Sequence, residues 1–85
     1  MNGTLPEEAR DNVRRLMASV LNVTLEDLPP EATPDNTSGW DSLSHLSLIA
    51  AMERQYSISI SHEDAIDLLG ETEIIAYLAA NDVKI

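Results

Sequence analysis

The apolar residues near the beginning of the chain recur at steps of three and four positions. They are Ala9, Val13, Leu16, Met17, Val20 and Leu21. This spacing predicts an amphipathic helix over residues 6–21 with one apolar stripe. Pro6 suits a first helical turn, and Glu7 and Glu8 complement the partial positive charge of a helix N-terminus.

Residues 22–41 lack this periodicity and are predicted to form a long loop. Three prolines interrupt regular structure there, and residues 35–39 are turn-forming. A loop of this length is unusual in a small domain, so it is expected either to have a function or to be anchored. We expect Leu25 and Leu28 to anchor it to the core.

A second helix is predicted over residues 42–56. Its apolar positions are Leu43, Leu46, Ile49, Ala50 and Met52, with Ala51 between them. The stretch YSISIS then alternates between polar and apolar residues, which is a strand pattern. Because a single unpaired strand is not stable, we expect an extended connector with Ile58 and Ile60 pointing inward.

Two further helices complete the pattern. Residues 62–69 predict a short helix that Ser61 caps and Gly70 ends. Residues 72–80 predict a last helix, capped by Thr72 or Glu71. The predicted fold class is all-α: a small four-helix bundle with three longer helices, one short third helix and a long first loop, in a single domain spanning residues 1–85.

Composition limits the core and the thiol chemistry. The chain has 85 residues, no phenylalanine and no cysteine, so the core must be mainly aliphatic and disulfides and thiolate metal sites are excluded. The N-terminal residues do not resemble a secretory signal, and no apolar run approaches membrane-spanning length. We therefore expect a soluble, monomeric, cytoplasmic protein.

The formal net charge of -10 is unevenly distributed. Residues 1–20 have no net charge, because their three acids are balanced by three arginines. The remaining residues contain 12 of the 15 acids, and their only Lys or Arg residues are Arg54 and Lys84. Such a surface disfavours nucleic acid and anionic membranes as partners. It would attract proteins with basic patches, although solubility alone is the simpler explanation.

The neighbouring residues Asp41, Ser42 and His45 invite comparison with a hydrolase triad. A triad assembles its members from separate elements, whereas these three lie within one helical turn and lack a G-x-S-x-G elbow. We therefore predict no enzymatic activity and expect His45 to face solvent.

A metal site is also not predicted. The stretch DNTSGWDS faintly resembles a calcium loop, but Trp40 occupies the expected glycine position and Leu46 the position of the closing glutamate. His45 and His62 have no ligand partners at metal-binding spacing.

Ser42 stands at the predicted start of the second helix. If Asp41 is the N-cap and accepts from the backbone N–H of Leu43 or Ser44, the Ser42 hydroxyl is not needed for capping and faces solvent. The free N–H groups and partial positive charge of a helix N-terminus favour an attached phosphate. On local pattern alone, however, a simple capping role remains the more common explanation.

The wider pattern resembles the acyl carrier protein family. The resemblance rests on GWDSLSHLSLIAAMERQYSISIS followed by HEDAIDLLGETEIIAYL, and it extends over nearly the whole chain. It implies that Ser42 receives 4′-phosphopantetheine from coenzyme A through a phosphopantetheinyl transferase with Mg²⁺. The cofactor thiol would then hold an acyl group as a thioester. Asp41 and Leu43 match the motif on either side of Ser42, where the family uses them to contact its partners. For Leu43, a position in the core is an equal alternative.

The chain departs from common fatty-acid carriers in the position of its acids. Those carriers have a strongly acidic second helix after the serine, whereas here acids concentrate later. The later acids are Glu63, Asp64, Asp67, Glu71 and Glu73. We therefore expect Glu63 and Asp64 to contact partners: acyl- or aminoacyl-loading ligases, and synthases or transferases with basic patches. Trp40 is a candidate interface anchor, although core packing is the safer interpretation.

The resemblance and this departure together imply an acyl carrier for a specialised lipid or secondary-metabolite pathway, with fatty-acid and polyketide synthesis as candidates. Two alternatives remain open from the residues. An aminoacyl or peptidyl carrier more often has Gly-x-Ser at the modification site, although some have Asp-Ser. A non-carrying helical interaction module would use Ser42 only as part of a helix start.

Overall fold

The computed structural model describes residues 6–81 and residue 83, and within them it contains four helices. These are α1 (Pro6–Leu21), α2 (Ser42–Tyr56), α3 (His62–Asp67) and α4 (Glu71–Ala80). The all-α prediction is confirmed, and so are the bounds predicted for the first two helices. No helix of the described residues is long and apolar enough to cross a membrane.

The core lies between α1, α2 and α4. Its most deeply buried apolar side chains are Val13, Met17, Leu48, Met52, Ile74 and Leu78. Each helix contributes two of these residues, four positions apart, and this spacing places both on the same face of the helix. The apolar stripe predicted for α1 is therefore the face that the bundle buries.

The long loop is anchored from within the bundle. Leu28 is buried in the core as predicted, but Leu25 is 41% exposed and does not anchor the loop. The Arg14 guanidinium of α1 donates to the Leu28 carbonyl at 2.6 Å and to the Pro29 carbonyl at 3.0 Å. The anchor is therefore partly polar, which the apolar pattern alone did not indicate.

Glu71 completes this anchor and corrects two expectations. Its carboxylate is paired with Arg10 and Arg14 of α1 and also accepts from the Ala32 N–H at 3.3 Å. The Glu71 N–H donates in return to the Ala32 carbonyl at 2.8 Å. With 1% of its surface exposed, Glu71 is a buried structural residue. It belongs neither to the surface acids nor to the cap of the last helix.

The boundaries around Gly70 differ from the prediction. Helix α3 ends at Asp67, with Leu68 as its C-cap, two residues before the predicted end. Gly70 is instead the N-cap residue of α4, and no side chain caps that helix. The predicted capping of α4 by Thr72 or Glu71 is therefore wrong. Its place is taken by the Glu71–Ala32 backbone bond, which satisfies one N–H of the first turn.

The connector between α2 and α3 contains no strand, and its two isoleucines point inward as predicted, although Ser57 at its start has a left-handed backbone. Ile60 is buried, and Ile58 is partly buried against the same core. The Glu53 carboxylate accepts from the Ile60 N–H at 2.9 Å and the Glu53 carbonyl accepts from the Ile58 N–H at 3.2 Å. Backbone groups that a strand partner would have paired are thus satisfied by one glutamate of α2.

Candidate functional site

Helix α2 begins at Ser42, and Asp41 is its N-cap as predicted. Asp41 has an extended backbone, and its Oδ1 accepts from the Ser44 N–H at 2.9 Å. Its carbonyl accepts the first helical bond, from the His45 N–H at 2.8 Å. Asp41 therefore satisfies one of the N–H groups that the first turn leaves without a helical partner.

The same contacts keep the Asp41 carboxylate charged. Its pKa is lowered from the ordinary value of 3.8, first by the hydrogen bond from the Ser44 N–H and next by the Ser44 hydroxyl. A negative charge at a helix N-terminus is also favoured by the helix dipole. At neutral pH, a carboxylate thus lies directly beside Ser42.

Ser42 occupies the first helical position and is exposed. Because Asp41 provides the cap, the Ser42 hydroxyl is left out of it and faces solvent, as expected. Ser44 is half-buried and its hydroxyl interacts with Asp41. Ser47 is exposed but lies in the second turn, away from the free N–H groups of the helix end. Among the three serines of α2, Ser42 alone combines an exposed hydroxyl with the N-terminus of the helix.

The helix pattern predicted that Leu43 and Leu46 would join the core, but both lie on the surface. Leu43 is 74% exposed and Leu46 is also exposed, whereas Leu48 and Ile49 are buried. At 3.6 residues per turn, Leu43 lies on the side of α2 opposite to the buried Met52, so the two leucines belong to a side of the helix that the bundle leaves uncovered. For Leu43, this excludes the core alternative and leaves an apolar side chain on the surface next to Ser42.

Trp40 packs as the safer of its two interpretations predicted, whereas His45 differs from expectation. The indole is only 4% exposed, so Trp40 packs in the core and is not the exposed anchor considered from the sequence. Its Nε1–H donates to His45 Nδ1 at 3.1 Å, and the two rings are stacked. His45 is half-buried and does not face solvent, because its Nε2 also lies 2.8 Å from the Ala65 carbonyl oxygen of α3.

An open groove of about 550 Å³ begins at Ser42 and runs between the loop, α2 and α3. It is lined by Pro34, Trp40, Asp41, Ser42, His45, Leu46, His62, Ile66 and Leu69. Most of these side chains are apolar, and among the polar ones Asp41 directly precedes Ser42. A group attached to the Ser42 oxygen therefore has room for a phosphate in solvent and an apolar surface within reach.

The two predicted partner residues of α3 are on the surface but are not equivalent. Glu63 and Asp64 are both exposed in the first turn of α3. Asp64 also accepts from the Tyr77 hydroxyl of α4 at 3.1 Å. The pKa of Tyr77 is raised from its ordinary value of 10.0, first by burial and then by this hydrogen bond. Asp64 thus has a structural role besides any contact with a partner.

Among the residues that the structure describes, no cluster of three or more potential ligands could hold a metal ion. His45 is bonded to Trp40 and Ala65, which is a structural use of its two ring nitrogens. The histidines of the groove therefore suggest no metal centre.

Comparison with known proteins identifies the family. A family model described as the phosphopantetheine attachment site matches residues 11–78. An acyl carrier protein of Streptomyces coelicolor is 36% identical over 75 residues, which are 88% of this chain and 78% of that protein. Acyl carrier proteins of Nitratidesulfovibrio vulgaris (strain Miyazaki F) and Helicobacter pylori are 34% and 30% identical, over 80% and 84% of this chain and 90% and 91% of theirs.

Members of this family are carriers rather than enzymes, and they hold a covalently attached 4′-phosphopantetheine group. The family model extends from the middle of α1 almost to the end of α4 and includes the whole groove. The chain thus belongs to the acyl carrier protein family.

Proposed function

We propose that Ser42 is the attachment site of 4′-phosphopantetheine and that the protein carries acyl groups on it. The observation that carries this proposal is the exposed Ser42 hydroxyl at the first position of α2, with the cap supplied by Asp41 instead. A modifying enzyme can reach a hydroxyl in this position without disrupting the N-terminus of the helix. The N–H groups of the first turn and the helix dipole favour a phosphodiester at this position.

The chemistry of attachment requires only a nucleophilic oxygen from this chain. The Ser42 Oγ forms a bond to the phosphorus that bears pantetheine, the pyrophosphate P–O bond of coenzyme A breaks, adenosine 3′,5′-bisphosphate leaves, and the hydroxyl proton passes to a base of the transferase. When bound, the group supplies the thiol that holds cargo as a thioester. The chain has no cysteine, so no thiol of its own competes for cargo.

Mass spectrometry tests the attachment site. Incubation with coenzyme A, Mg²⁺ and a broad phosphopantetheinyl transferase should add one phosphopantetheine to the wild-type protein. Ser42→Ala should abolish the addition. Ser44→Ala and Ser47→Ala are matched controls and should still be modified. A wild-type protein that gains no mass, under conditions that modify another carrier, would exclude the proposal; modification of Ser42→Ala would place the site elsewhere.

The pathway is proposed to be specialised rather than housekeeping fatty-acid synthesis. Helix α2 has no acid in its first turn, and its single acid, Glu53, binds the connector through the Ile60 N–H. The exposed acids Glu63, Asp64 and Asp67 lie on α3 instead. A partner with a basic patch would therefore approach over α3 and the groove, with Leu43 and Leu46 as exposed apolar contacts.

Loading assays test the cargo. The modified protein would be offered to acyl-loading and aminoacyl-loading ligases in parallel, and the mass of the thioester would be measured. Acylation with no aminoacylation is the expected result. Aminoacylation alone would support the aminoacyl or peptidyl carrier instead, while leaving the attachment at Ser42 intact.

A further inference from the structure

The imidazole of His45 joins three elements around the groove. The loop contributes Trp40, whose Nε1–H donates to His45 Nδ1 at 3.1 Å. Helix α3 contributes the Ala65 carbonyl oxygen, 2.8 Å from His45 Nε2. The indole and imidazole are also stacked, with centroids 6.1 Å apart and planes inclined by 24°. One half-buried side chain of α2 therefore connects the loop to α3 beside Ser42.

The chemistry of the two neighbours fixes the state of the ring. An indole N–H can only donate, and a carbonyl oxygen can only accept. His45 must therefore accept at Nδ1 and donate at Nε2, which requires the neutral imidazole with its proton on Nε2. The other neutral tautomer would break both bonds, and a doubly protonated ring would lose the bond to Trp40.

Helix α3 depends on such connections for its position. It has 6 residues, too few for a helix that is stable by itself. Ala65 and Leu68 attach it to the core, whereas Ile66 is exposed and lines the groove. Because α3 forms one side of the groove and Trp40 another, the bonds of His45 set how far apart these sides lie.

We propose that His45 is a positioning residue that holds α3 against Trp40 and thereby fixes the width of the groove around the apolar part of a cargo attached at Ser42. The occupant follows from the groove itself, which includes Ser42 in its wall and is lined mainly by apolar side chains beyond it. The part of this inference that concerns cargo rests on the proposed function. The connection between Trp40 and α3 does not.

Three substitutions separate the two bonds. In His45→Gln, the amide nitrogen lies near the former Nε2 and can still donate to the Ala65 carbonyl. In His45→Asn, the amide oxygen lies near the former Nδ1 and can still accept from Trp40. His45→Ala removes both bonds. His62→Asn is the matched control, because His62 lines the same groove without taking part in the Trp40–Ala65 connection.

Hydrogen exchange of the unmodified protein, measured by NMR, reads each bond separately. The amides of Ala65 and Leu68 report on α3, since they donate to Ser61 and Ala65 carbonyls. They should exchange about fivefold faster in His45→Asn and His45→Ala, which is the effect of one hydrogen bond of about 1 kcal/mol on a local opening equilibrium. They should be unchanged in His45→Gln and His62→Asn. The chain has one tryptophan, so its indole N–H gives a single signal. That N–H should exchange faster in His45→Gln and be unchanged in His45→Asn.

Two direct measurements complete the test. Imidazole ¹⁵N shifts of the wild type should show the Nε2–H tautomer at His45; the Nδ1–H tautomer would overturn the proposal. In acyl-loaded protein, thioester hydrolysis should accelerate about fivefold in His45→Asn and His45→Ala but not in His45→Gln. Equal exchange in all four variants would overturn the connection. Faster exchange with unchanged hydrolysis would overturn the retention of cargo. The exchange result does not depend on which serine is modified, because it is measured on the unmodified protein.

Discussion

The Asp41 carboxylate accepts a hydrogen bond from the Ser44 N–H at 2.9 Å, across the intervening Ser42. Because Asp41 caps the helix, the hydroxyl of Ser42, the residue proposed for modification, is not needed as a cap. Ser42→Ala should change the free energy of unfolding by no more than about 0.5 kcal/mol. Asp41→Ala should lower it measurably, because the first turn loses its cap, whereas Asp41→Asn should retain most of the stability. Urea unfolding of the three variants measures this; a large loss in Ser42→Ala would show that its hydroxyl is structural.

The cap also predicts a pH dependence. The pKa of Asp41 in the folded protein lies below its ordinary value of 3.8. The charged carboxylate therefore stabilises the fold above pH 3.8, and this contribution is lost as the pH falls through the folded value. Asn also caps helices but does not titrate, so the advantage of the wild type over Asp41→Asn should shrink across this range. A carboxyl ¹³C titration should give a midpoint below 3.8 for Asp41; a midpoint at or above 3.8 would contradict the assignment.

The helices were predictable because their apolar spacing reports burial directly. Val13 and Met17 recur at one helical turn, and the bundle buries that face. The same rule fails at Leu43 and Leu46, which recur at helical spacing but lie on a different side of α2 from the buried Met52. Periodicity indicates which residues share a helix face, and only the packing of other elements decides which apolar face is covered.

Polar residues at the site were harder to predict because their partners are distant in sequence. His45 was expected to face solvent, yet its Nε2 binds a carbonyl 20 residues away. Glu71 was counted among the surface acids, yet it pairs with Arg14 from 57 residues away. Asp41, in contrast, caps through a residue three positions along the chain, and that local contact was predicted.

The buried carboxylate of Glu71 should be essential for the long loop. It is paired with Arg10 and Arg14, whose side chains are 42% and 16% exposed. Glu71→Gln leaves Arg14 without its counter-charge in a mostly buried position, so it should lower the free energy of unfolding by about 2–3 kcal/mol. Glu73→Gln is the control, since Glu73 is an exposed acid of the same helix, and it should cost no more than about 0.5 kcal/mol. Equal stabilities of the two variants in urea would refute a structural role for the buried charge.

Gly39 should be required immediately before Trp40. It has a φ of 88°, and a Cβ at this position would lie 3.2 Å from the Leu21 carbonyl oxygen. Gly39→Ala should therefore lower the free energy of unfolding by about 1–2 kcal/mol. Gly70→Ala is the comparison, because its backbone is extended and its new Cβ would clash with the flexible Glu73 carboxylate, while the Ala32 carbonyl oxygen lies at an ordinary contact distance of 3.6 Å. Thermal or urea unfolding should rank Gly39→Ala as the less stable variant, and the opposite ranking would rule out this explanation.

Charge on α3 should govern encounter with the modifying enzyme. Glu63 is the suitable position for a test, because Asp64 also binds Tyr77 and its replacement would disturb the link between α3 and α4. Glu63→Lys should slow association with a transferase that has a basic patch by about threefold to tenfold at low salt, and less at high salt, since the effect is electrostatic. Glu8→Lys makes the same charge change at an exposed position of α1, a helix that does not line the groove, and should have a smaller effect.

Stopped-flow association at two ionic strengths compares the variants. A rate for Glu63→Lys equal to that of the wild type at low salt would remove α3 from the contact surface and leave Leu43 and Leu46 as its remaining candidates.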